Sequence, residues 1–254
     1  MEKKQRGIQS IEVGGKLLVV LGRSGTPMVL KDLAAAAEMP PAKAHPYLVS
    51  FSKLGLVEQD ARSGRYELGP EALQLGLACL QRLDPVRIAT EEMTHLIEKI
   101  GHTVALAVWG THGPTVVRLE MSTYPIHVNL RPGSVMSLMN TATGLIFAAY
   151  MPPKVIESML NAEPGRVGGD VPAGGADHEN LLSEVRRRGI ARAIGNPIPG
   201  INAISAPVFD YTNNIVLAIT ALGTANIFDP SLDGTIAKEV TDFAKMVSGR
   251  LGHR

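Results

Sequence analysis

The sequence predicts a mixed α+β chain: an N-terminal winged helix-turn-helix, a linker helix, and a larger domain built around an antiparallel sheet. Three observations lead there. The first seventy residues read as short helices followed by a hairpin. An apolar helical run follows, bounded by Pro70 and by Asp84-Pro85. Beyond it, strand-like and helix-like runs mix without an internal repeat, the pattern of an antiparallel sheet with helices packed on it.

Taken in order, Ile8, Ile11, Leu17, Leu18 and Leu21 fall near helical spacing and predict a first helix over 8–21, with Ser10 as its cap. Residues 22–27 read as a turn. The alanine-rich stretch 30–39 predicts a second helix, because alanine is the best helix former. Pro40-Pro41 ends that helix and opens a third over 41–53, with Ala44, Leu48 and Phe51 or Leu54 facing inward and Gly55 as the stop. Residues 56–60 and 65–68 read as short strands around Ala61-Arg62-Ser63-Gly64. Such a unit can lay its third helix in a major groove about 12 Å wide. Lys43, His45, Tyr47 and Ser50 fall on or near the outward side of that helix, and the hairpin tip brings Arg62 and Arg65 towards phosphates or the minor groove. Lys3, Lys4 and Arg6 form a candidate basic arm.

Residues 70–83 predict a helix that is apolar nearly all round, with Leu73, Leu77 and Leu80 on one face and Leu75 on another. A helix of that kind needs a partner, either the next domain or a second subunit. The second domain then reads as a helix near 86–100, strands at 103–109, 115–119 and 126–130, and helices at 141–150 and 153–160. A glycine-rich loop over 164–176, a helix at 181–188, strands at 201–209 and 215–222, and a closing helix at 232–251 complete it. The predicted domains are 1–69, a linker helix 70–84, and 85–254.

Composition narrows the function. No run approaches the ~18 apolar residues of a membrane span, and the basic N-terminus lacks an apolar signal core, which predicts a cytoplasmic location and no membrane partner. The single cysteine, Cys79, cannot form an internal disulfide, and its apolar surroundings predict buried filler. The seven histidines, His45, His95, His102, His112, His127, His178 and His253, show no zinc-site spacing, so no metal or cofactor is expected. No P-loop, nucleophile elbow or acid–base constellation points to an enzyme. Residues 1–70 carry ten Lys/Arg against seven Asp/Glu, a local positive excess in a chain of net charge +1. In the second domain, Asn140, Thr141, Ala142, Thr143 and Gly144 form the leading candidate for a small-molecule pocket. Small residues at a helix N-terminus let backbone N–H groups face a carboxylate.

These stretches together resemble the IclR family of transcription regulators over nearly the whole chain. The resemblance is carried by Gly7-Ile8-Gln9-Ser10-Ile11-Glu12-Val13, Leu30-Lys31-Asp32-Leu33-Ala34, Met39-Pro40-Pro41-Ala42-Lys43-Ala44-His45 and Leu54-Gly55-Leu56-Val57-Glu58. It continues through Tyr66-Glu67-Leu68-Gly69, Asn140-Thr141-Ala142-Thr143-Gly144 and Ile204-Ser205-Ala206-Pro207-Val208-Phe209-Asp210. It implies a winged helix bound to a double-stranded operator and a GAF-like effector domain. It further implies a homodimer joined through the N-terminal part, in many cases a dimer of dimers, and a small organic acid or related catabolite as effector. Matched to the family's pocket positions, Met136, Ile201, Asn202, Ala203 and Thr220 join the candidate effector residues. Arg131 is a candidate carboxylate partner beside a Pro132-Gly133 turn. Two departures stand out. Ala193 occupies a position where some relatives carry an acid, which implies a different effector chemistry. Pro46 follows the histidine of the recognition helix where the family commonly has a basic residue. An interior proline favours an alternative reading, a sensor whose winged helix docks a protein instead of DNA.

Overall fold

The computed structural model describes residues 7–122, 130–162 and 176–253. They divide into two compact units, Met1–Leu83 and Asp84–Arg254. The strand expected at 126–130 falls almost wholly outside the described residues, as do the loop at 164–176 (all but its last residue) and the basic arm at Lys3, Lys4 and Arg6.

In the first unit, α1 spans Gln9–Ser24 and buries Gly14, Leu17 and Leu21. It runs three residues beyond the expected end and stops at Gly25, whose φ of 65° is one that glycine adopts without penalty. Ser10 does not cap it; Ile8 stands at the cap position without a side-chain bond. Helix α2 spans Leu30–Ala36, shorter than the alanine run suggested. The cause is a helix-ending motif with Glu38 in the left-handed region (φ 56°): Glu38 N–H donates to the Ala35 carbonyl and Met39 N–H to Ala34, each at 3.0 Å. A non-glycine residue at that position hides the stop from composition. Helix α3 spans Pro41–Lys53 as expected, with Ala44 and Leu48 fully buried; Phe51 packs at the edge of the core, whereas Leu54 is exposed. At Gly14 a Cβ would lie 2.8 Å from the Tyr47 ring, so this glycine permits the close approach of α1 and α3.

The hairpin pairs β1 (Val57–Gln59) with β2 (Tyr66–Leu68), Gln59 opposite Tyr66, and Met28 bridges to Tyr66 on the other side. Helix α4 spans Pro70–Leu80, three residues short of the expected end, and buries none of its residues. Leu73 and Leu75 are about three-fifths exposed, and Cys79 is exposed as well, contrary to the buried role expected of it. This apolar surface lies open among the described residues.

In the second unit, Asp84 caps α5 (Pro85–Ile100) by accepting from the N–H groups of Val86 and Arg87 at 3.0 and 3.1 Å. Among the described residues five strands follow: β3 (Thr103–Gly110), β4 (Gly113–Glu120), β5 (Ala191–Ile194), β6 (Ile201–Phe209) and β7 (Ile215–Thr224). They form one antiparallel sheet in the order β4-β3-β7-β6-β5. The short edge strand β5 had no counterpart in the sequence reading. Helices α6 (Ala142–Tyr150), α7 (Pro153–Ala162), α8 (Ala176–Arg188) and α9 (Thr235–Arg250) complete the unit. Trp109, at the end of β3, rests against Phe147 of α6, ring centres 5.8 Å apart.

The alternation of side chains along the strands decides where this sheet is solid and where it is hollow. Ile204, Ala206 and Val208 of β6 pair with Ala221, Ile219 and Leu217 of β7. Most of these are bulky, and all are buried on the face that packs against α9. The opposite face carries Ala105 and Ala107 of β3, Ala203 and Ser205 of β6, and Ala218 and Thr220 of β7. Ala107 and Ala218 pack against α6 in the core, whereas Ala105, Ala203 and Thr220 are too short to fill the space beside the start of that helix. A row of small residues on one face therefore leaves room for a cavity.

Candidate functional site

Two surfaces bring the sequence-derived candidates together. On the first unit, Lys43, His45, Pro46 and Ser50 of α3 are all exposed. Ser50 Oγ donates to the Pro46 carbonyl at 3.0 Å, which occupies its proton and leaves its oxygen as an acceptor. Tyr47 is only partly open: its ring packs into the core against Gly14, so most of it serves the fold. Pro46 is the sixth residue of α3 and lies past its first turn. The helix continues through it without a break.

The hairpin turn is built by Asp60. Its carboxylate accepts from Arg62 N–H at 2.6 Å and Ser63 N–H at 3.1 Å, and its backbone pairs with Gly64 and Arg65. These two N–H groups hold the carboxyl below its ordinary range. Arg62 projects from the tip, exposed. Arg65 is exposed too, but its guanidinium donates to the Pro27 carbonyl at 3.1 Å, which ties the hairpin to the segment before α2. A cleft between α3 and the hairpin is lined by His45, Val49, Ser52, Lys53, Gln59 and Tyr66.

In the second unit the hollow face of the sheet forms a cavity of about 480 Å³. Its floor includes Ala105, Val116, Ala203, Thr220 and Leu222 from the strands. Its walls come from Leu130, Ser134–Ser137, the start of α6 at Thr141–Thr143, and Ala193, Asn196, Pro197, Ile198 and Ile201. Of the sequence-derived effector residues, Met136, Thr141, Ala142, Thr143, Ile201, Ala203 and Thr220 line it. Asn140, Gly144 and Asn202 do not. Asn140 donates to Ser137 Oγ at 3.1 Å. Gly144 is a packing residue: a Cβ there would sit 2.0 Å from the Ser137 carbonyl oxygen. Asn202 is buried, donating to the Phe228 carbonyl and accepting from Gly195 N–H. Arg131 is exposed beside the Pro132-Gly133 turn and is not among the described residues that line the cavity.

The cavity's polar groups gather around α6. Thr141 Oγ1 caps the helix by accepting from Gly144 N–H at 2.9 Å and donates to the Ser137 carbonyl at 2.7 Å, so its hydroxyl is satisfied. Helix geometry leaves the N–H groups of Ala142 and Thr143 without an intrahelical acceptor. Thr143 Oγ1 meets Thr220 Oγ1 at 2.7 Å, and Thr220 donates to Ser205 Oγ at 2.9 Å. If Thr220 spends its proton on Ser205, Thr143 is the donor in the first contact and keeps a lone pair free. No Asp, Glu, Lys, Arg or His occurs among the described residues lining this space. What it offers is an apolar container with the start of α6 and a few hydroxyls at one end. Among the described residues, no group of three or more His, Cys, Asp or Glu side chains converges to hold a metal. No helix among the described residues is long and apolar enough to cross a membrane.

Sequence reasoning missed most of the apolar wall, including Val116, Leu130, Val135, Ile198 and Leu222. The alternation of small residues along β3 and β6 was a signal for the floor. Nothing local marks Ile198 or Leu130, which reach the cavity from irregular segments.

Comparison with known proteins places both units. Residues 10–61 match the family profile "IclR helix-turn-helix domain", and residues 77–249 match "Bacterial transcriptional regulator IclR C-terminal". The glycerol operon regulatory protein of Streptomyces griseus is 30% identical over 251 residues, covering 97% of this chain and 98% of that protein. The protein of the same name in Streptomyces coelicolor is 29% identical over 249 residues, with the same coverage. Among solved structures, Pseudomonas aeruginosa HmgR superposes with a TM-score of 0.86 at 34% identity, covering 97% of this chain and 99% of that one. The Agobacterium tumefaciens repressor BlcR shares the fold at 22% identity, with a TM-score of 0.82 and coverage of 98% and 100%.

Proposed function

The chain belongs to the IclR family of bacterial DNA-binding transcription regulators, and from that premise we propose that a small organic acid or related catabolite, bound in the cavity beneath α6, controls its grip on an operator. The observation that carries this reading is the cavity itself: about 480 Å³, walled by apolar side chains, with the N-terminus of α6 opening into it. A carboxylate seated at the Ala142 and Thr143 N–H groups meets the positive end of the helix dipole. With no cationic side chain in the described lining, one carboxylate is accommodated more cheaply than two, and the rest of the ligand rests against Leu130, Met136, Ile201 and Leu222. Ala193, in the wall, leaves space where a side-chain acid would repel such a ligand.

At the other end of the chain, Lys43, His45 and Ser50 of α3 contact the duplex, and Arg62 reaches phosphate from the hairpin tip. Tyr47 and Arg65 hold the scaffold and contribute at its edge. The working division is a DNA-binding domain over 1–69, a linker over 70–84 and an effector domain over 85–254. Two protomers join through the N-terminal part and the open apolar surface of α4, which puts two recognition helices on a roughly palindromic operator. Dimers of dimers extend the same scheme. The chain works in the cytoplasm as a regulator and not as an enzyme. Its Streptomyces relatives are named for a glycerol operon, which favours a catabolic operon as the target here.

Effector control requires that the ligand prefer one operator-binding arrangement over another. The test uses full-length protein and the DNA upstream of its own gene. Acids that raise the protein's melting temperature are added to the protein–DNA complex and the affinity is followed. Ala203→Leu, which fills the cavity from its floor, is expected to abolish the thermal shift and the effector response together while DNA binding persists. A variant that still answers the ligand would place the site elsewhere.

A further inference from the structure

The outward stripe of α3 is apolar where a DNA-reading helix would be expected to carry donors. The 3.6-residue period puts Ala42, Pro46, Val49 and Lys53 along one line, opposite the buried Ala44 and Leu48. All four are exposed, Val49 at 41%. Lys43 and Ser50 flank this line on one side and His45 on the other. Single exposed apolar residues are ordinary. Three in a row on the face of a helix-turn-helix unit that must meet DNA form a continuous strip. Pro46 has neither a backbone N–H nor a side-chain donor, so it cannot make the bidentate contact to guanine that a basic residue makes.

One base-pair feature in the major groove matches an apolar strip: the 5-methyl group of thymine. We propose that Ala42, Pro46 and Val49 read thymine methyls at the centre of each half-site, while Lys43 and Lys53 hold the neighbouring phosphates. Pro46 is then a specificity-determining residue, and its rigid ring presents a fixed apolar surface at the middle of the helix. The inference rests on the DNA-binding reading of α3 given above. Burying one methyl is worth about four-fold in affinity.

The experiment selects duplexes from a random pool on the full-length chain and then replaces each enriched thymine by deoxyuridine, which removes only the methyl. Thymine is expected at one or two fixed positions per half-site, and each deoxyuridine is expected to weaken binding about four-fold. Pro46→Gly abolishes that penalty at one position. Val49→Ala, at an exposed site where folding is unaffected, diminishes it at the next. Enriched duplexes that tolerate deoxyuridine everywhere, or that fix no thymine, overturn the methyl reading and leave DNA binding intact. Recovery of no duplex at all overturns both.

Discussion

Replacing Pro46 with alanine should stabilise the first unit. Pro46 lies inside α3, five residues after its start at Pro41. It has no N–H to offer the Ala42 carbonyl, and its ring crowds that oxygen. In a helix interior proline costs about 3 kcal/mol relative to alanine. Proline also restricts the unfolded chain, which returns about 1 kcal/mol. The Pro46 ring is exposed, so its removal forfeits little packing. The net expectation is a gain of about 2 kcal/mol, or about 30-fold in the local opening equilibrium. Hydrogen exchange on the full-length protein, followed in peptides covering Ala44–Lys53, measures this directly. Protection should rise by about that factor in Pro46→Ala. Unchanged or reduced protection would show that α3 carries no proline penalty at this position.

Two further outcomes follow from the second unit. Gly144→Ala places a Cβ 2.0 Å from the Ser137 carbonyl oxygen and 2.6 Å from that of Leu138, both backbone atoms that cannot swing aside. It should cost about 1–3 kcal/mol or more and lower the melting temperature of this unit, as calorimetry would show; a neutral substitution would mean that α6 is free to shift. His102 is buried beside Phe228, ring centres 4.9 Å apart, and burial lowers its pKa below 6.5. The unfolded chain therefore takes up the proton first, and stability should decline as pH falls through 6.5 towards the lower folded-state value. His102→Gln should flatten that part of the stability–pH curve, measured by denaturant unfolding; an unaltered slope would assign it to other groups.

The helical skeleton was legible because its signals are local. Pro40-Pro41 and Gly55 fixed α3, and Asp84-Pro85 fixed the start of α5. The end of α2 was illegible because Glu38 adopts a conformation usually left to glycine, and an alanine run gives no sign of it. The exposure of α4 and Cys79 escaped for another reason: an apolar stripe announces that cover is required, not where it comes from. For the site, the start of α6 could be read from Asn140-Thr141-Ala142-Thr143-Gly144, yet two of those five residues, Asn140 and Gly144, do not line the cavity. Asn202, expected at the pocket from the family resemblance, is a buried strut between Gly195 and Phe228. The cavity arises from side chains brought together from all five strands, and only the pairing register reveals that Ala105, Ala203 and Thr220 share a face.

DNA binding by this chain requires α3 and the hairpin to present charge to a duplex, and the salt dependence of affinity for a selected operator tests this most directly. The logarithm of affinity should fall linearly with the logarithm of salt concentration, with a slope near −0.9 for each phosphate neutralised. Lys43→Gln or Arg62→Gln should each shallow that slope by about one contact per protomer. A slope indifferent to salt, or to both substitutions, would mean that this face does not meet DNA.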